Sequence, residues 1–501
     1  KSYAKHCWRP FMLELNNQYT TIKRQVHTEV LKQFFQDTLT QNVDKIPIQL
    51  IPKQRIPTRC CIYKERAMVR YRIMAFLGFD IEKEDDEMKS LSSYVREIME
   101  EDKPLSPLLT TISTACSSCP PDRYMISDAC RGCFARPCLA NCPKDCITFS
   151  GGKAHIDESR CIRCGKCMEV CPFHAVVHIP VPCEQACPVD AVKKNEYGYV
   201  EIDWDRCISC GKCAMSCPFG AIVERSSIMT VAKKLKNKDH MTAIIAPAIE
   251  GQFPGTLAQI KHALLATGFR SVIEVSEGAH ETCLHEADEL ATRRKEGTGF
   301  MTTSCCPAYM NLVDKHLPFL VSRRSSALSP MAYTAALAKE RCEETSVVFI
   351  GPCLAKKDEA ATLGTIDGVL TFSKLASLFV AKGIDVREMD GTDLEDVSLF
   401  EDCREFALSG GVASCVSKRS AVGDEISLFQ VNGIDRKMAR VMKTWERRPV
   451  DADLVEVMCC EGGCINGPGV VAKPSVAIRL RGGNKASSPV EAMRAILKPK
   501  E

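Results

Sequence analysis

Residues 161–172 read Cys-Ile-Arg-Cys-Gly-Lys-Cys-Met-Glu-Val-Cys-Pro, and residues 207–218 repeat the pattern as Cys-Ile-Ser-Cys-Gly-Lys-Cys-Ala-Met-Ser-Cys-Pro. Both stretches have the spacing C-x2-C-x2-C-x3-C-P. Three thiolates on one tight loop can cover one face of an iron–sulfur cubane, and the fourth, next to proline, reaches a neighbouring cluster. The repeat therefore predicts [4Fe–4S] clusters in the middle of the chain.

Two further copies extend this repeat. A stretched copy contains Cys130, Cys133, Cys138 and Cys142, and a degenerate copy keeps Cys183 and Cys187. The spacing is that of bacterial two-cluster ferredoxins. Structural zinc sites use pairs of C-x2-C or histidines instead, so zinc is a weak alternative. We predict a ferredoxin-like cluster domain over residues 116–230.

Pairing the fourth cysteine of one copy with the first three of another predicts the ligand sets. Cluster one would use Cys130, Cys133, Cys138 and Cys171; cluster two Cys161, Cys164, Cys167 and Cys142; cluster three Cys207, Cys210, Cys213 and Cys187. The thiols of Cys183 and Cys217 then need two more ligands, which the C-x2-C pair Cys116 and Cys119 could supply. Three to four accessory clusters are therefore expected, because that pair could equally be bystanders in a loop.

Composition supports metal ligation over disulfides. The chain has 501 residues and 30 cysteines, of which 17 lie between Cys116 and Cys217. A chain of this length can form roughly three domains with their own cores and does not depend on disulfides. The net charge of +3 points to neither a nucleic-acid nor a membrane partner. The first apolar run, residues 11–15, is too short for a signal peptide, so we expect a cytoplasmic protein.

The regions on either side differ in pattern. Residues 1–115 are expected to be mainly helical, with helices near 25–39 and 90–99. The proline-rich stretch 46–57 predicts an extended connector between them. We expect this region to have a packing or docking role. Residues 231–501 alternate helical stretches with β-branched runs at 243–246, 271–275, 346–350 and 454–458. These runs predict an α/β domain with buried parallel strands.

Three cysteine motifs stand far apart in this last domain. They read Thr-Ser-Cys-Cys-Pro at 303–307, Gly-Pro-Cys-Leu-Ala-Lys-Lys-Asp-Glu at 351–359 and Met-Cys-Cys-Glu-Gly-Gly-Cys at 458–464. Each follows a predicted strand, where the loops of α/β folds gather ligands. Four thiolates from these loops could hold one more cubane.

These motifs closely resemble the active-site signatures of the [FeFe]-hydrogenases, and the resemblance spans about residues 115–475. It implies a two-lobed α/β catalytic domain behind the cluster domain, so the fold class expected is multidomain α+β and α/β. By this resemblance Cys306, Cys353, Cys460 and Cys464 hold the [4Fe–4S] part of the H-cluster. Cys464 would also bridge to a two-iron subcluster carrying CO, cyanide and a bridging dithiolate amine. Cys305 would exchange the proton, and Lys356 would hydrogen-bond a cyanide.

The same resemblance implies a proton relay. Glu286, Glu289 and Arg293 match the family's relay helix and share one helix face by their spacing. Ser325 falls where the family has a relay hydroxyl. The alternative is a solvated helix face with ordinary ion pairs, which the spacing alone favours.

Several positions depart from the commonest catalytic pattern: Ala248, Tyr309, Gly351, Cys459 and Pro468. They resemble a divergent clostridial-type group that lacks a [2Fe–2S] N-terminal domain. We expect these departures to affect rate and bias rather than the reaction. The remaining cysteines of the domain, Cys283, Cys342, Cys403 and Cys415, are expected to be small buried hydrophobes.

The resemblance implies reversible reduction of protons to H2, with ferredoxin or a similar small carrier as electron partner and dedicated maturation proteins. Residues 116–230 carry 13 Lys and Arg against 13 Asp and Glu, so no net basic face for an acidic ferredoxin is visible there. Three alternatives remain: a hydrogenase-like iron–sulfur assembly factor, a hydrogen sensor, and an electron-transfer subunit. Assembly factors usually lack the thiol corresponding to Cys305, and no sensor module is apparent.

Overall fold

The computed structural model describes residues 17–102, 107–116, 119–393, 400–420 and 426–482. A helical N-terminal region is followed by small antiparallel strand pairs and then by two parallel sheets flanked by helices. This confirms the expected multidomain α+β and α/β fold. None of the helices in these ranges combines the length and the apolar character needed to cross a membrane. The domain boundaries near 115 and 230 stay predictions.

Within residues 17–102 the structure has five α-helices: α1 Gln18–Phe35, α2 Leu39–Asn42, α3 Ile46–Leu50, α4 Ile62–Phe76 and α5 Leu91–Glu100. Helix α1 begins earlier than its apolar spacing indicates because Asn17 caps it, accepting the backbone N–H of Thr20 at 2.8 Å. Helix α5 confirms the second expected helix, and Ser90 caps it by accepting the N–H of Ser93.

The expected extended connector over residues 46–57 is wrong in its first half, which is helix α3. Pro47 lies in the first turn of this helix, where a missing N–H costs nothing and the fixed φ of proline favours the helix. Burial of Ile46 and Ile51 on either side holds the turn in place. Residues 51–61 contain bends and a turn and belong to no helix or strand.

The cluster region consists of four two-stranded antiparallel sheets and five short helices. The strand pairs are β1 Leu109–Thr111 with β8 Ile222–Glu224, β2 Arg123–Ile126 with β5 Val176–Ile179, β3 Ile147–Ser150 with β4 Lys153–Ile156, and β6 Val192–Lys194 with β7 Val200–Ile202. The helices are α6 Ser113–Cys116, α7 Pro137–Ala140, α8 Lys166–Glu169, α9 Pro182–Ala186 and α10 Lys212–Ser216.

Two parallel sheets follow, which confirms the expected buried parallel strands. The first has the order β10-β9-β12-β13, with β9 Met241–Ile245, β10 Ser271–Glu274, β12 Ser346–Ile350 and β13 Gly368–Leu370. The second has the order β11-β15-β14, with β11 Met301–Thr302, β14 Leu428–Asn432 and β15 Leu454–Met458. The four β-branched runs correspond to β9, β10, β12 and β15.

The described residues place these α-helices around the sheets: α11 Ile228–Asn237, α12 Leu257–Thr267, α13 Val275–Glu296, α14 Pro307–His316, α15 Pro330–Arg341, α16 Lys356–Leu363, α17 Phe372–Lys382, α18 Gly411–Arg419, α19 Arg436–Thr444 and α20 Pro474–Gly482. Short 3-10 helices add Val43–Lys45, Ile81–Lys83, Pro247–Ile249, Pro318–Leu320, Val386–Glu388, Asp402–Ala407 and Cys464–Asn466. Helix α13 crosses α15 closely, since a Cβ on Gly278 would lie 2.3 Å from the carbonyl oxygen of Pro330.

The N-terminal region packs on the C-terminal α/β domain. Helix α1 lies against α17, and one apolar core runs from these helices into the first sheet. A buried carboxylate joins the cluster region to the C-terminal α/β domain, because Glu224 on β8 forms ion pairs with Lys357 and Lys374. Removing one partner of such a buried pair costs about 3–5 kcal/mol. These contacts agree with the expected packing role of residues 1–115.

Candidate functional site

A cavity of about 90 Å³ lies where the two parallel sheets meet. Its lining comes from the loops after β9 and β12 of the first sheet and after β11 and β15 of the second. These loops leave the carboxyl ends of parallel strands, where α/β folds place their ligands. The three cysteine motifs of the sequence therefore meet around one cavity.

Four thiols of the three motifs line this cavity: Cys306, Cys353, Cys460 and Cys464. Burial raises the pKa of each, and for Cys353, Cys460 and Cys464 the neighbouring thiols raise it further, to about 12 for Cys464. Four such thiols are costly to ionise together unless a cationic group neutralises them. The set of sulfur donors and the space between them therefore fit a [4Fe–4S] cubane.

Backbone geometry brings the third motif to this position. Gly463 has φ of 97°, and a Cβ there would lie 2.7 Å from the carbonyl oxygen of Ala407. Only glycine fits so close an approach in this left-handed conformation. The turn delivers Cys464 into the cavity opposite Cys306, which ends its own loop just before Pro307 starts α14.

Two further polar side chains line the same cavity, Cys305 and Lys356. Cys305 is 9% exposed, and burial raises its pKa, with further contributions from Glu286 and Cys306. The Lys356 ammonium donates to Glu359 at 2.6 Å. Burial works against the charge of Lys356, but Glu359 and the thiol of Cys353 raise its pKa overall. The cavity thus contains a neutral thiol beside a retained positive charge.

A buried carboxyl lies behind Cys305. Glu286 on α13 is fully buried, and its Oε1 accepts the backbone N–H of Ser304 at 3.0 Å and the Ser304 hydroxyl at 3.3 Å. Its Oε2 has no hydrogen-bond partner among the described residues. Burial raises the pKa of Glu286 to about 7. A carboxyl with this pKa can both accept and donate a proton near neutral pH.

The next acidic residue, Glu289, lies one turn further along α13. Its carboxylate accepts the Ser325 hydroxyl at 3.0 Å, the Ser326 N–H at 2.8 Å and the Arg293 guanidinium at 2.7 and 2.9 Å. Burial opposes ionisation, but these hydrogen bonds lower the pKa of Glu289. Of the four residues named for the relay, Glu289, Arg293 and Ser325 are joined directly by hydrogen bonds. Glu286 lies one turn earlier on α13 and bonds Ser304, the residue before Cys305.

Sequence reasoning missed His285 as a neighbour of this path. The Ser326 hydroxyl donates to Glu289 at 3.0 Å and lies 3.2 Å from Nε2 of His285, which is exposed. His285 precedes Glu286 directly, but nothing in the spacing indicated that a serine from another loop would bridge it to Glu289.

The residues that depart from the common pattern lie either in the wall of the cavity or directly behind it. Ala248 and Cys459 line the cavity. The Tyr309 ring is buried beside it, and its hydroxyl donates to Thr302 at 2.8 Å. Any Cβ on Gly351 would overlap the ring of Phe349, itself part of the lining. A hydrogen bond with the Cys459 thiol lowers the pKa of Cys210 to about 7, so Cys459 joins the cavity to the cluster region.

The four cysteine repeats share one local geometry. The third residue after each Cys-Pro cysteine has positive φ: Asp145, His174, Asp190 and Gly220. Three of these cysteines also accept the N–H of the residue four positions on, at 3.2–3.4 Å: Cys171, Cys187 and Cys217. The degenerate copy is thus folded like the complete ones, and donated N–H groups favour the thiolates that bind metal.

Several thiols within the ligand sets drawn from spacing lie close enough to raise one another's pKa. Burial raises the pKa of Cys183 to about 12, with further contributions from Cys217, Cys116 and Cys119. Burial also raises the pKa of Cys138, with further contributions from Cys171 and Cys133. The pKa of Cys213 is raised by burial and by Cys210, Cys207 and Cys187. The set of Cys142 and Cys161 has an extra member, because the sulfur of Cys146 lies 3.4 Å from that of Cys142.

The comparisons with known proteins agree with this site. Residues 239–468 match the model for the iron-only hydrogenase large subunit, C-terminal domain, and residues 154–177 and 200–223 match the 4Fe-4S binding domain. The chain is a divergent [FeFe]-hydrogenase-like protein. The matches to both models fall on the regions that carry the cavity and the two complete repeats.

Relatives of this [FeFe]-hydrogenase-like protein include the periplasmic [Fe] hydrogenase large subunit of Nitratidesulfovibrio vulgaris, 29% identical over 64% of the chain and 87% of the relative. Iron hydrogenase 1 of Clostridium pasteurianum is 26% identical over 42% of the chain and 45% of the relative. The NADP-reducing hydrogenase subunit HndD of Solidesulfovibrio fructosivorans is 26% identical over 49% of the chain and 53% of the relative. The chain thus spans about half the length of the last two.

Other similarities are weaker. The cytosolic Fe-S cluster assembly factor NAR1 of Candida dubliniensis is 28% identical over 28% of the chain and 25% of that relative. Among solved structures, a variant of the [FeFe]-hydrogenase HydA1 from Chlamydomonas reinhardtii matches 52% of the chain and 89% of its own, at 20% identity and a TM-score of 0.41.

Proposed function

We propose that the protein is an [FeFe]-hydrogenase that reversibly reduces protons to H2. One observation carries the proposal: the Cys305 thiol and the Lys356 ammonium face the same cavity as four cysteines able to hold a cubane. A purely electron-carrying site needs the four ligands alone. A thiol that can exchange protons beside a fixed positive charge is suited to a reaction that consumes protons.

The ligands proposed for the cubane are Cys306, Cys353, Cys460 and Cys464, with Cys464 also bridging to a two-iron subcluster carrying CO, cyanide and a dithiolate amine. When bound, this group supplies the metal at which protons and electrons combine. The chain's own contribution is positional. Lys356 is kept charged by Glu359, which Ser329 also hydrogen-bonds. Its ammonium would donate to an anionic cyanide, a charge-assisted contact.

Protons would reach the cavity along α13. The proposed order from the surface inward is Arg293, Glu289, Ser325, Glu286 and Cys305. The pKa of the Glu286 carboxyl is raised above the ordinary value for glutamate, whereas the pKa of Glu289 is lowered below it. A proton arriving at the ionised outer carboxylate is therefore passed to a group that holds it more strongly, nearer the cavity.

Electrons would pass through the cubanes of residues 116–217 to the cavity, with Cys210 and Cys459 at the junction. The partner proposed is a ferredoxin or similar small acidic carrier. The cluster region itself is charge-balanced, but α19 of the catalytic domain adds exposed Lys437, Arg440 and Lys443. Arg436 of the same helix donates to the carbonyl of Cys187 at 3.1 Å, so this basic face adjoins the cluster ligands.

We expect the fourth accessory cluster to depend on Cys116 and Cys119. Serine at both positions should remove one cubane, or about four iron atoms per chain from a total of roughly 20 when five cubanes are loaded. Iron and sulfide analysis measures this. Serine at Cys60 and Cys61, two thiols outside the ligand sets, is the matched control and should leave the iron content unchanged. Unchanged iron in the first variant would make Cys116 and Cys119 bystanders.

The second candidate is an iron–sulfur assembly factor, which the NAR1 relatives favour. Such a protein would hold cubanes and no two-iron subcluster. The presence of Cys305 on the cavity wall argues against it. A hydrogen sensor would have the same site as a hydrogenase but would turn over H2 slowly.

Infrared spectroscopy separates these candidates. Protein produced together with the two-iron maturation system should show bands of iron-bound CO and cyanide and evolve H2 with a reduced ferredoxin. Protein produced without that system should contain the cubanes and lack the bands. An assembly factor would lack the bands in both preparations, and that result would overturn the proposal. Bands without appreciable turnover would favour the sensor.

A further inference from the structure

Three cysteines outside every ligand set above converge in the second lobe. Cys283 lies on α13, Cys403 on the 3-10 helix Asp402–Ala407, and Cys415 on α18. Their sulfur atoms all lie within 4.8 Å of one another, and the residues are 0%, 0% and 1% exposed. Each of the three is buried as the sequence predicted, whereas Cys342, expected to behave likewise, is only half-buried.

Apolar side chains pack around this thiol triad, Cys283, Cys403 and Cys415, and two charged groups lie nearby: the Arg419–Asp402 ion pair and the buried Glu456. Ala279, Ala287 and Val412 belong to the same buried cluster. The Arg419 guanidinium donates to both carboxylate oxygens of Asp402, at 2.7 and 2.9 Å, and the Cys415 thiol donates to the backbone oxygen of Asp402 at 3.3 Å. A paired cation and anion therefore lie at the edge of the triad.

Hydrophobic packing alone needs no convergence of three sulfur atoms from three separate elements. The group of potential ligands found in the described residues contains these three thiols and no His, Asp or Glu side chain. A cubane needs four ligands, so the triad does not fit one. Sulfur donors without oxygen or nitrogen select soft, thiophilic cations.

We propose that Cys283, Cys403 and Cys415 bind one thiophilic d10 cation, Cu+ or Zn2+, as three thiolates. Three S–H bonds lose their protons to solvent, three metal–sulfur bonds form, and no electrons are transferred. Three sulfur ligands suit Cu+, which prefers three-coordination. Zn2+ would neutralise more of the negative charge of the three thiolates in the buried core. In either case the bound triad keeps a net negative charge, because the Arg419 cation is already paired with Asp402.

The position of the triad gives this cation a structural consequence. Cys283 precedes the buried Glu286 by one turn of α13, and Cys403 precedes Phe406, which lines the catalytic cavity. A metal at the triad would therefore fix the relay helix against the cavity wall. The site is separate from the proposed iron–sulfur ligands and does not depend on hydrogenase activity.

The test uses the full chain with its iron–sulfur clusters loaded, incubated separately with Zn2+ and with Cu+ under reductant. We expect one equivalent of the preferred metal to remain after desalting, with an X-ray absorption spectrum of three sulfur neighbours, at about 2.3 Å for zinc. Cys403→Ala and Cys415→Ala should each lose this equivalent and keep the iron content. Cys342→Ala, a cysteine outside the triad, is the control and should retain the metal.

Retention of the same equivalent by both triad variants would overturn the proposal, as would a disulfide among the three thiols in the cluster-loaded protein. If the alanine variants do not fold, the wild-type spectrum decides. Three sulfur neighbours support the site. Four sulfur neighbours, or nitrogen and oxygen neighbours, or no bound metal, exclude it.

Discussion

Replacing Cys305 by serine should leave every iron site loaded and remove most of the H2 activity, by roughly 100-fold or more. Cys305 and Cys306 are consecutive, and consecutive side chains rarely point into the same metal corner. Cys306 ends the loop just before α14, within the group of four thiols, while Cys305 belongs to the apolar cluster that adjoins Glu286. One thiol is thus free for proton exchange.

The chemical reason for the loss is acidity. A thiol has a reference pKa of about 8.5, near enough to neutral to exchange a proton once its environment tunes it, whereas a serine hydroxyl is far less acidic. Burial and the adjacent carboxyl raise the pKa of Cys305, so the thiol carries its proton at neutral pH. Serine preserves the size of the side chain and removes this function.

Three measurements separate the roles of the two neighbours: iron content, the infrared spectrum of the matured protein and H2 evolution. Cys306→Ser is expected to impair assembly of the cubane itself. Cys342→Ser, at a half-buried thiol away from the cavity, should match the wild type in all three. Loss of iron in Cys305→Ser, or full activity, would show that the two cysteines have been assigned the wrong way round.

The sequence was informative where a period or a motif determines local structure. The β-branched runs between the helical stretches correctly predicted four parallel strands. Parallel strands are buried on both faces, so their sequences are mostly apolar. The cysteine spacing anticipated the repeat geometry, down to the degenerate copy at Cys187. In contrast, Pro47 was interpreted as a helix breaker although the first turn of a helix tolerates it.

Contacts between distant segments were beyond the sequence. His285 meets Glu289 through Ser326, a serine from a loop more than 30 residues away, and no spacing rule connects them. The basic face of α19 was missed because charges were counted within residues 116–230 alone, whereas the helix adjoining Cys187 comes from the catalytic domain. The thiol triad likewise depends on three elements meeting in one core.

Replacing Glu286 by glutamine should lower turnover by roughly 100-fold or more, because glutamine carries no exchangeable acidic proton. Glutamine keeps the size of the side chain, and its carbonyl can still accept the Ser304 N–H that now bonds Oε1. The fold and the metal content should therefore be unchanged. H2 evolution and the infrared spectrum of the matured protein measure the two effects separately.

The pH profile gives a second signature of the same group. Burial raises the pKa of Glu286 to about 7, so the wild-type rate should show an ionisation near that pH: the carboxyl is protonated below it and ionised above it. The residual activity of Glu286→Gln should lack this ionisation. Glu289→Gln should also slow turnover strongly, whereas Asp288→Asn, an exposed acid on the same helix, should not. If both glutamine variants evolve H2 at the wild-type rate, protons take another route and α13 presents an ordinary solvated face.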